Sequence, residues 1–146
     1  MRHPFLLIAC LLLTTVLPAS AQLFSGIAEC DALYGPPVEP TAQTSDVRFY
    51  KKDDLKLKIL FTEARAHVVT FSAPEAKKIE VPRQLELLAL SAANARWEPV
   101  EGAGPTTWQR SDGLAYAFYE PASGELTVMT AEYLEKSASD TATVSQ

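Results

Sequence analysis

The chain is poor in the residues that site chemistry most often uses: two cysteines, two histidines and six glycines in 146 positions. Cys10 and His3 both fall among the first 21 residues, so a chain cleaved after Ala21 keeps only Cys30 and His67. One cysteine forms no intrachain disulfide. One His and one Cys fall short of the several convergent ligands that a tightly bound transition metal usually needs, so structural zinc is not expected. There is no glycine-rich phosphate loop and no Gly-x-Ser-x-Gly elbow. Lys51-Lys52-Asp53-Asp54 lacks the spaced oxygen ligands of a calcium loop. No metal and no other cofactor is expected. Positive charge is also scarce: 13 Lys and Arg stand against 18 Asp and Glu, a formal charge of −5. That balance argues against nucleic acid as a partner, whose usual footprint is a dominant basic patch.

What is present begins with a leader. Arg2, an apolar run from Phe5 to Leu17, Pro18 and the small-residue triplet Ala19-Ser20-Ala21 have the form of a secretory signal peptide over residues 1–21. The run stops short of the roughly 20 residues that span a bilayer, so no transmembrane segment is expected after cleavage. Leu7-Ile8-Ala9-Cys10 has the letters of a lipobox but sits in the middle of the run, and lipidation there is not expected. The expected location is periplasmic or secreted. Cleavage removes Arg2 and no acid, leaving a mildly acidic chain long enough for one domain with its own core.

Residues 22–136 read as a single α+β domain and 137–146 as a disordered tail low in bulky apolar residues. Ser25 is placed to cap a short helix whose apolar positions are Ile27, Cys30, Leu33 and Tyr34, with Gly35 in the left-handed cap and Pro36-Pro37 ending it. Residues 36–46 are a polar connector. Alternation then places Val47, Phe49, Leu55, Leu57, Ile59, Phe61, Val69 and Phe71 on one face of a three-stranded meander, with turns at Lys52–Asp54 and Thr62–Arg65. A second helix starts near Pro82, carries Leu85, Leu88, Ala89 and Ala92 on one stripe, and is capped by Asn94. A second meander follows, turning at Asp112-Gly113 and at Pro121–Gly124.

A gapless shift of 59 residues lays the two halves, about 22–72 and 82–131, on each other: Phe49 on Trp108, Asp53 on Asp112, Leu57 on Tyr116, Ile59 on Phe118, Val69 on Val128, and Gly35 on Asn94. The expected fold is a two-layer sandwich, about six antiparallel strands in two meanders with two helices on one face, in a tandem αβββ layout. The expected core is Ile27, Leu33, Phe49, Leu57, Ile59, Phe61, Val69, Leu85, Leu88, Trp108, Tyr116, Phe118 and Val128.

The stretches "ALYGPPV", "YKKDDLKLKILFTEARAHVVTF" and "SDGLAYAFY" give a helix, a glycine-proline exit and a meander with a charged turn. This layout resembles the small secreted domains of the outer-membrane-assembly lipoprotein type and, in doubled form, the β-lactamase-inhibitor protein. The resemblance implies the fold and a binding role. It implies no functional residues, since the chain lacks their disulfide pair and a working lipobox.

Two candidate sites emerge. Cys30 with His67 is the one nucleophile and base pair that a small thiol enzyme or hydrolase could use. Cys30, however, lies between Glu29 and Asp31 on an apolar stripe, which favours a neutral core thiol or a handle for an intermolecular disulfide. The other candidate is a basic outer face on the first meander, where Arg48, Tyr50, Lys52, Lys56 and Lys58 are read as pointing outward from two adjacent strands. They would form a docking surface for a protein or an anionic envelope polymer, or ordinary edge protection. On the second meander the outer set is Ala115, Ala117, Tyr119, Thr127 and Met129, a smoother contact patch. The favoured function is an exported, non-enzymatic binding or envelope-accessory domain. The Cys30 and His67 enzyme is the alternative, and a homodimer through the outer sheet or Cys30 is a third reading.

Overall fold

The computed structural model describes residues 23–38 and 46–144. The leader with its cleavage site and Cys10, and most of the 36–46 connector, lie outside the described residues. The elements are α1 (Ile27–Tyr34), β1 (Val47–Lys52), β2 (Leu55–Thr62), β3 (Arg65–Ser72), α2 (Val81–Leu90), β4 (Trp97–Pro99), β5 (Thr107–Arg110), β6 (Ala115–Glu120), β7 (Glu125–Thr130) and α3 (Ala131–Val144). All seven strands form one antiparallel sheet in the order β1-β2-β3-β7-β6-β5-β4. The fold is the expected α+β sandwich. Among the described residues it has seven strands where about six are expected, because the short β4 pairs with β5, and α3 makes a third helix.

Local chemistry accounts for the helix ends. The Glu29 carboxylate accepts the Gly26 amide hydrogen at 2.8 Å, so the cap of α1 is Gly26 and not Ser25. The Ser25 carbonyl instead accepts the Ala66 amide at 2.9 Å, which stitches the start of the domain to β3. Gly35 ends α1 at a φ of 82°. Cys30 is the buried residue of that helix, and Leu33 is 55% exposed because the helix turns the line of Ile27, Cys30 and Tyr34 toward the sheet. In α2, Pro82 sits in the first turn as expected, but Gln84, Leu87 and Leu88 are buried and Leu85 is 52% exposed. The Trp97 indole N–H donates to the Leu88 carbonyl at 2.7 Å, which fixes the helix rotation. Asn94 is left-handed at a φ of 67°, although α2 has already ended at Leu90.

Which side chains face the helices depends on loop counts. The β1–β2 turn has two residues, Asp53 and Asp54, so Lys52 pairs with Leu55 and Tyr50 with Leu57. The helix-covered face of β1 is therefore Arg48, Tyr50 and Lys52, and Phe49 points to the opposite side. A three-residue turn at Lys52–Asp54 would have produced the expected phase. In β6 the covered residues are Ala115, Ala117 and Tyr119, while Tyr116 and Phe118 lie half-buried on the opposite face. Here a bulge between Leu60 and Phe61 inserts one residue into the β2–β3 pairing, and β6–β7 has no counterpart. One inserted residue reverses every side chain beyond it.

The core on the covered face contains Leu57, Ile59, Phe61, Val69, Leu88, Trp108 and Val128, all seven expected, with Ile27 half-buried against it. Phe49, Tyr116 and Phe118 leave the expected core for the other face, and Leu33 and Leu85 for solvent. Leu23, Tyr50, Ala115, Ala117 and Leu126 take their place. Between β3 and α2 a short 3-10 turn, Pro74–Ala76, leads Lys77 past the β6–β7 turn. A Cβ on Gly124 would stand 2.7 Å from the Lys77 carbonyl oxygen, so this close approach requires glycine. Ile79 then enters the core at 4% exposure. Finally, residues expected to be a disordered tail from 137 form the last turns of α3 up to Val144. Thr130 caps that helix by accepting the Tyr133 amide at 3.2 Å.

Candidate functional site

The five residues read as one basic outer face are divided between the two faces of the sheet. Arg48, Tyr50 and Lys52 lie on the helix-covered side, and only Lys56 and Lys58 point away from it. Tyr50 is fully buried. Its hydroxyl donates to Asp31 Oδ1 at 2.7 Å, and the Arg48 guanidinium approaches Asp31 Oδ2 to 3.5 Å, so both hold α1 on the edge strand. Burial, and then the bond to Asp31, pushes the Tyr50 phenol well above its ordinary range. Two members of the expected site are thus part of the helix–sheet joint. The smoother patch expected on the second meander divides the same way: Ala115, Ala117 and Tyr119 are buried beneath the helices, while Thr127 and Met129 are on the open side.

The other candidate pair is also drawn into the structure. Cys30 is 1% exposed. Burial, followed by the charges of Asp31 and Glu29, pushes its thiol up to about 11, with Arg48 opposing. A thiol held neutral in this way is a small apolar filler at neutral pH. The charged and phenolic groups that act on it are those of α1 and β1. His67 is buried on β3, with Nδ1 2.9 Å from Thr130 Oγ1 and its ring edge-on to Phe24 at 6.5 Å. His67 therefore joins β3 to the cap of α3. A cleft of about 150 Å³ beside it is lined by Thr62, Glu63, Glu132, Lys136, Ser137 and Asp140 among others. Ser137 in that cleft donates its hydroxyl to the Leu134 carbonyl at 2.9 Å. The volume is below the usual 300–1,000 Å³ range of small-molecule sites. Among the described residues, no group of three or more His, Cys, Asp or Glu side chains is placed to hold a metal ion.

The arrangement with recognition capacity is the open face as a whole. Every described strand side chain on it is half-buried or exposed, whereas the core residues of the opposite face are buried. The pairing registers arrange it in three rows across the sheet. At the end nearest the β1–β2 turn runs Lys51, Lys56, Ser72, Glu125 and Glu120. Next is Phe49, Lys58, Thr70, Thr127, Phe118 and Thr107. The third row is Val47, Leu60, Val68, Met129, Tyr116 and Gln109. Side-chain bonds brace the rows: Ser72 to Glu125 at 3.1 Å, Thr70 with Thr127 at 3.3 Å, and Gln109 to the Tyr116 hydroxyl at 2.9 Å. The Lys56 ammonium lies 4.6 Å from the Phe49 ring centroid.

Of this surface, Lys56, Lys58, Thr127 and Met129 lie where the alternation of the sequence puts them, and the aromatic and acidic members do not. Two-residue turn chemistry at Asp53-Asp54 is the signal that would have moved Phe49 outward. Phe118 and Tyr116 had no such signal, because both alternate sets of β6 are apolar.

No family model matches the sequence, and no curated protein matches it. Among solved structures, a DUF4309 family protein (YjgB) from Bacillus subtilis is similar at 12% identity over 73% of this chain and 78% of its own, with a TM-score of 0.40. A likeness that weak carries nothing about family or activity. Among the described residues, no helix is long and apolar enough to cross a membrane.

Proposed function

We propose that this chain is an exported, non-enzymatic interaction module that recognises a protein partner through the open face of its sheet. One observation carries the reading: an apolar row of Val47, Leu60, Val68, Met129 and Tyr116, half-buried rather than buried, crosses five strands and shares the open face with a charged row of Lys51, Lys56, Glu125 and Glu120. A contiguous apolar patch with a polar rim is the usual mark of a macromolecular contact. An anionic envelope polymer fits less well, since Glu120 and Glu125 stand in the same row as Lys51 and Lys56. The leader over residues 1–21 supports export to the periplasm or beyond. The resemblance to small secreted binding domains points the same way. The absorbed roles of Cys30 and His67 favour binding over thiol chemistry.

The test is Met129→Lys, in the middle of the apolar row. A half-buried surface position should tolerate the lysine stem with a stability change below about 1 kcal/mol. Co-purification of the native partner should be lost while the thermal melt stays close to that of the parent. An unchanged set of co-purifying proteins would overturn the reading.

A further inference from the structure

The open face is self-complementary. Along its first row the charges run positive, positive, neutral, negative, negative, from Lys51 and Lys56 through Ser72 to Glu125 and Glu120. Lys56 and Glu125 stand on either side of β3, two strand spacings or about 10 Å apart. An isologous dimer needs a surface whose two halves answer each other about an axis. We propose that the protein partner of the open face is a second copy of this chain, packed sheet to sheet about a two-fold axis that runs along β3. The inference rests on the open face being the interaction surface and names its occupant.

Rotation about that axis carries each row onto the same row of the other copy, reversed end for end. Lys56 then meets the partner's Glu125, and Lys51 meets the partner's Glu120. In the second row Phe49 meets the partner's Phe118, and Lys58 the partner's Thr127. In the third row Leu60 meets the partner's Met129, Val47 meets the partner's Tyr116, and Val68 packs on the partner's Val68. An axis across the strands would instead press the charged row onto the apolar one, leaving lysines and glutamates desolvated without partners. The charge pattern thus selects the axis direction. Two sheets stacked in this way lie about 10 Å apart with interleaved side chains, the geometry of aligned β-sandwiches.

The experiment is sedimentation of the protein expressed from the full 146-residue sequence, over a concentration series at low and high salt. The expected species is a dimer that weakens with salt. Lys56→Glu and Glu125→Lys, each setting like charges together twice per dimer, should each raise the dissociation constant by about tenfold or more. The double variant restores opposite charges across the axis and should recover most of the parent affinity. A parent that stays monomeric throughout, or a double variant no better than the singles, overturns the second-copy proposal. If that monomer still loses its co-purifying partner on Met129→Lys, the interaction-face reading stands with a different occupant. If partner capture is also unaffected, both readings fall.

Discussion

The hairpins β1–β2 and β5–β6 share one pairing register and show opposite faces to the helices. Tyr50 pairs with Leu57, and 59 residues later Gln109 pairs with Tyr116. Yet Tyr50 and Leu57 are buried, while Gln109 and Tyr116 lie on the open side. The difference traces to the bulge between Leu60 and Phe61, which is present in the first half alone. Backbone pairing and side-chain facing are separate properties of a sheet, and one unpaired residue uncouples them. In this molecule the same bulge sets the basic half of the open face beside an acidic half.

The comparison breaks most sharply at Lys58 and Ala117, which the 59-residue shift superimposes. Ala117 is fully buried under the helices, whereas Lys58 is exposed. Ala117→Lys should lose about 4 kcal/mol or fail to fold, because a charge is forced into a close-packed apolar layer. Lys58→Ala should stay within about 0.5 kcal/mol. Urea unfolding of the two variants checks this, and similar effects would mean that the halves face the same way after all.

A smaller contrast separates Asp112 from Asp53, identical residues at the two superimposed turns. Asp112 holds the buried Arg110 guanidinium at 2.9 and 3.1 Å, beside the Ser91 carbonyl and the Phe24 ring. Asp53 holds the more exposed Arg83 at 2.9 Å. Asp112→Asn should lose about 2 kcal/mol, less than a fully buried pair would because the carboxylate is partly solvated, and Asp53→Asn about 0.5 kcal/mol or less. Arg110 chiefly holds the Asp112 carboxyl below its ordinary value. Its stabilisation is therefore complete above the usual carboxylate range and is lost as pH falls through the depressed value. The gap between parent and Asp112→Asn in urea midpoint should narrow on acidification from pH 5, and a constant gap would contradict the pairing.

The smallest effect concerns Cys30 and its counterpart Ala89, one buried and one exposed. Cys30→Ala should lose about 1 kcal/mol at neutral pH, from a small cavity. Because the thiol is pushed up to about 11 from 9.0, its contribution is complete below about 9 and disappears as pH rises toward 11. The parent should therefore lose stability relative to Cys30→Ala across that window. A gap unchanged from pH 8 to 11 would mean that Cys30 ionises as freely folded as unfolded.

Much of the layout was legible in the residues themselves. The alternation of Leu55, Leu57, Ile59 and Phe61 has polar residues between its members, so β2 could face the helices in only one way. Gly35, Pro82 and the turn at Asp112-Gly113 carry backbone preferences that do not depend on tertiary context. The phase of β1 and β6 was hidden for two physical reasons. In β1 it hangs on one residue of turn length. In β6, Ala115, Ala117 and Tyr119 compete with Tyr116 and Phe118, and both sets are apolar. The helices take the set with the alanines, whose small side chains permit close approach to the sheet. Trp108 was placed correctly because the error in β1 and the error in the shift cancel. The acidic end of the open face was invisible until pairing set Glu120 and Glu125 in the row of Lys51 and Lys56.

The most direct test of the open face is thiol labelling of Phe118→Cys and Ala117→Cys, neighbours on β6, each in a Cys30→Ala background. The account predicts fast labelling of Phe118→Cys in dilute protein, slowing as concentration rises and a second copy covers the face, with Ala117→Cys protected throughout. Rapid labelling of Ala117→Cys in the folded protein, or a protected Phe118→Cys at high dilution, would contradict it.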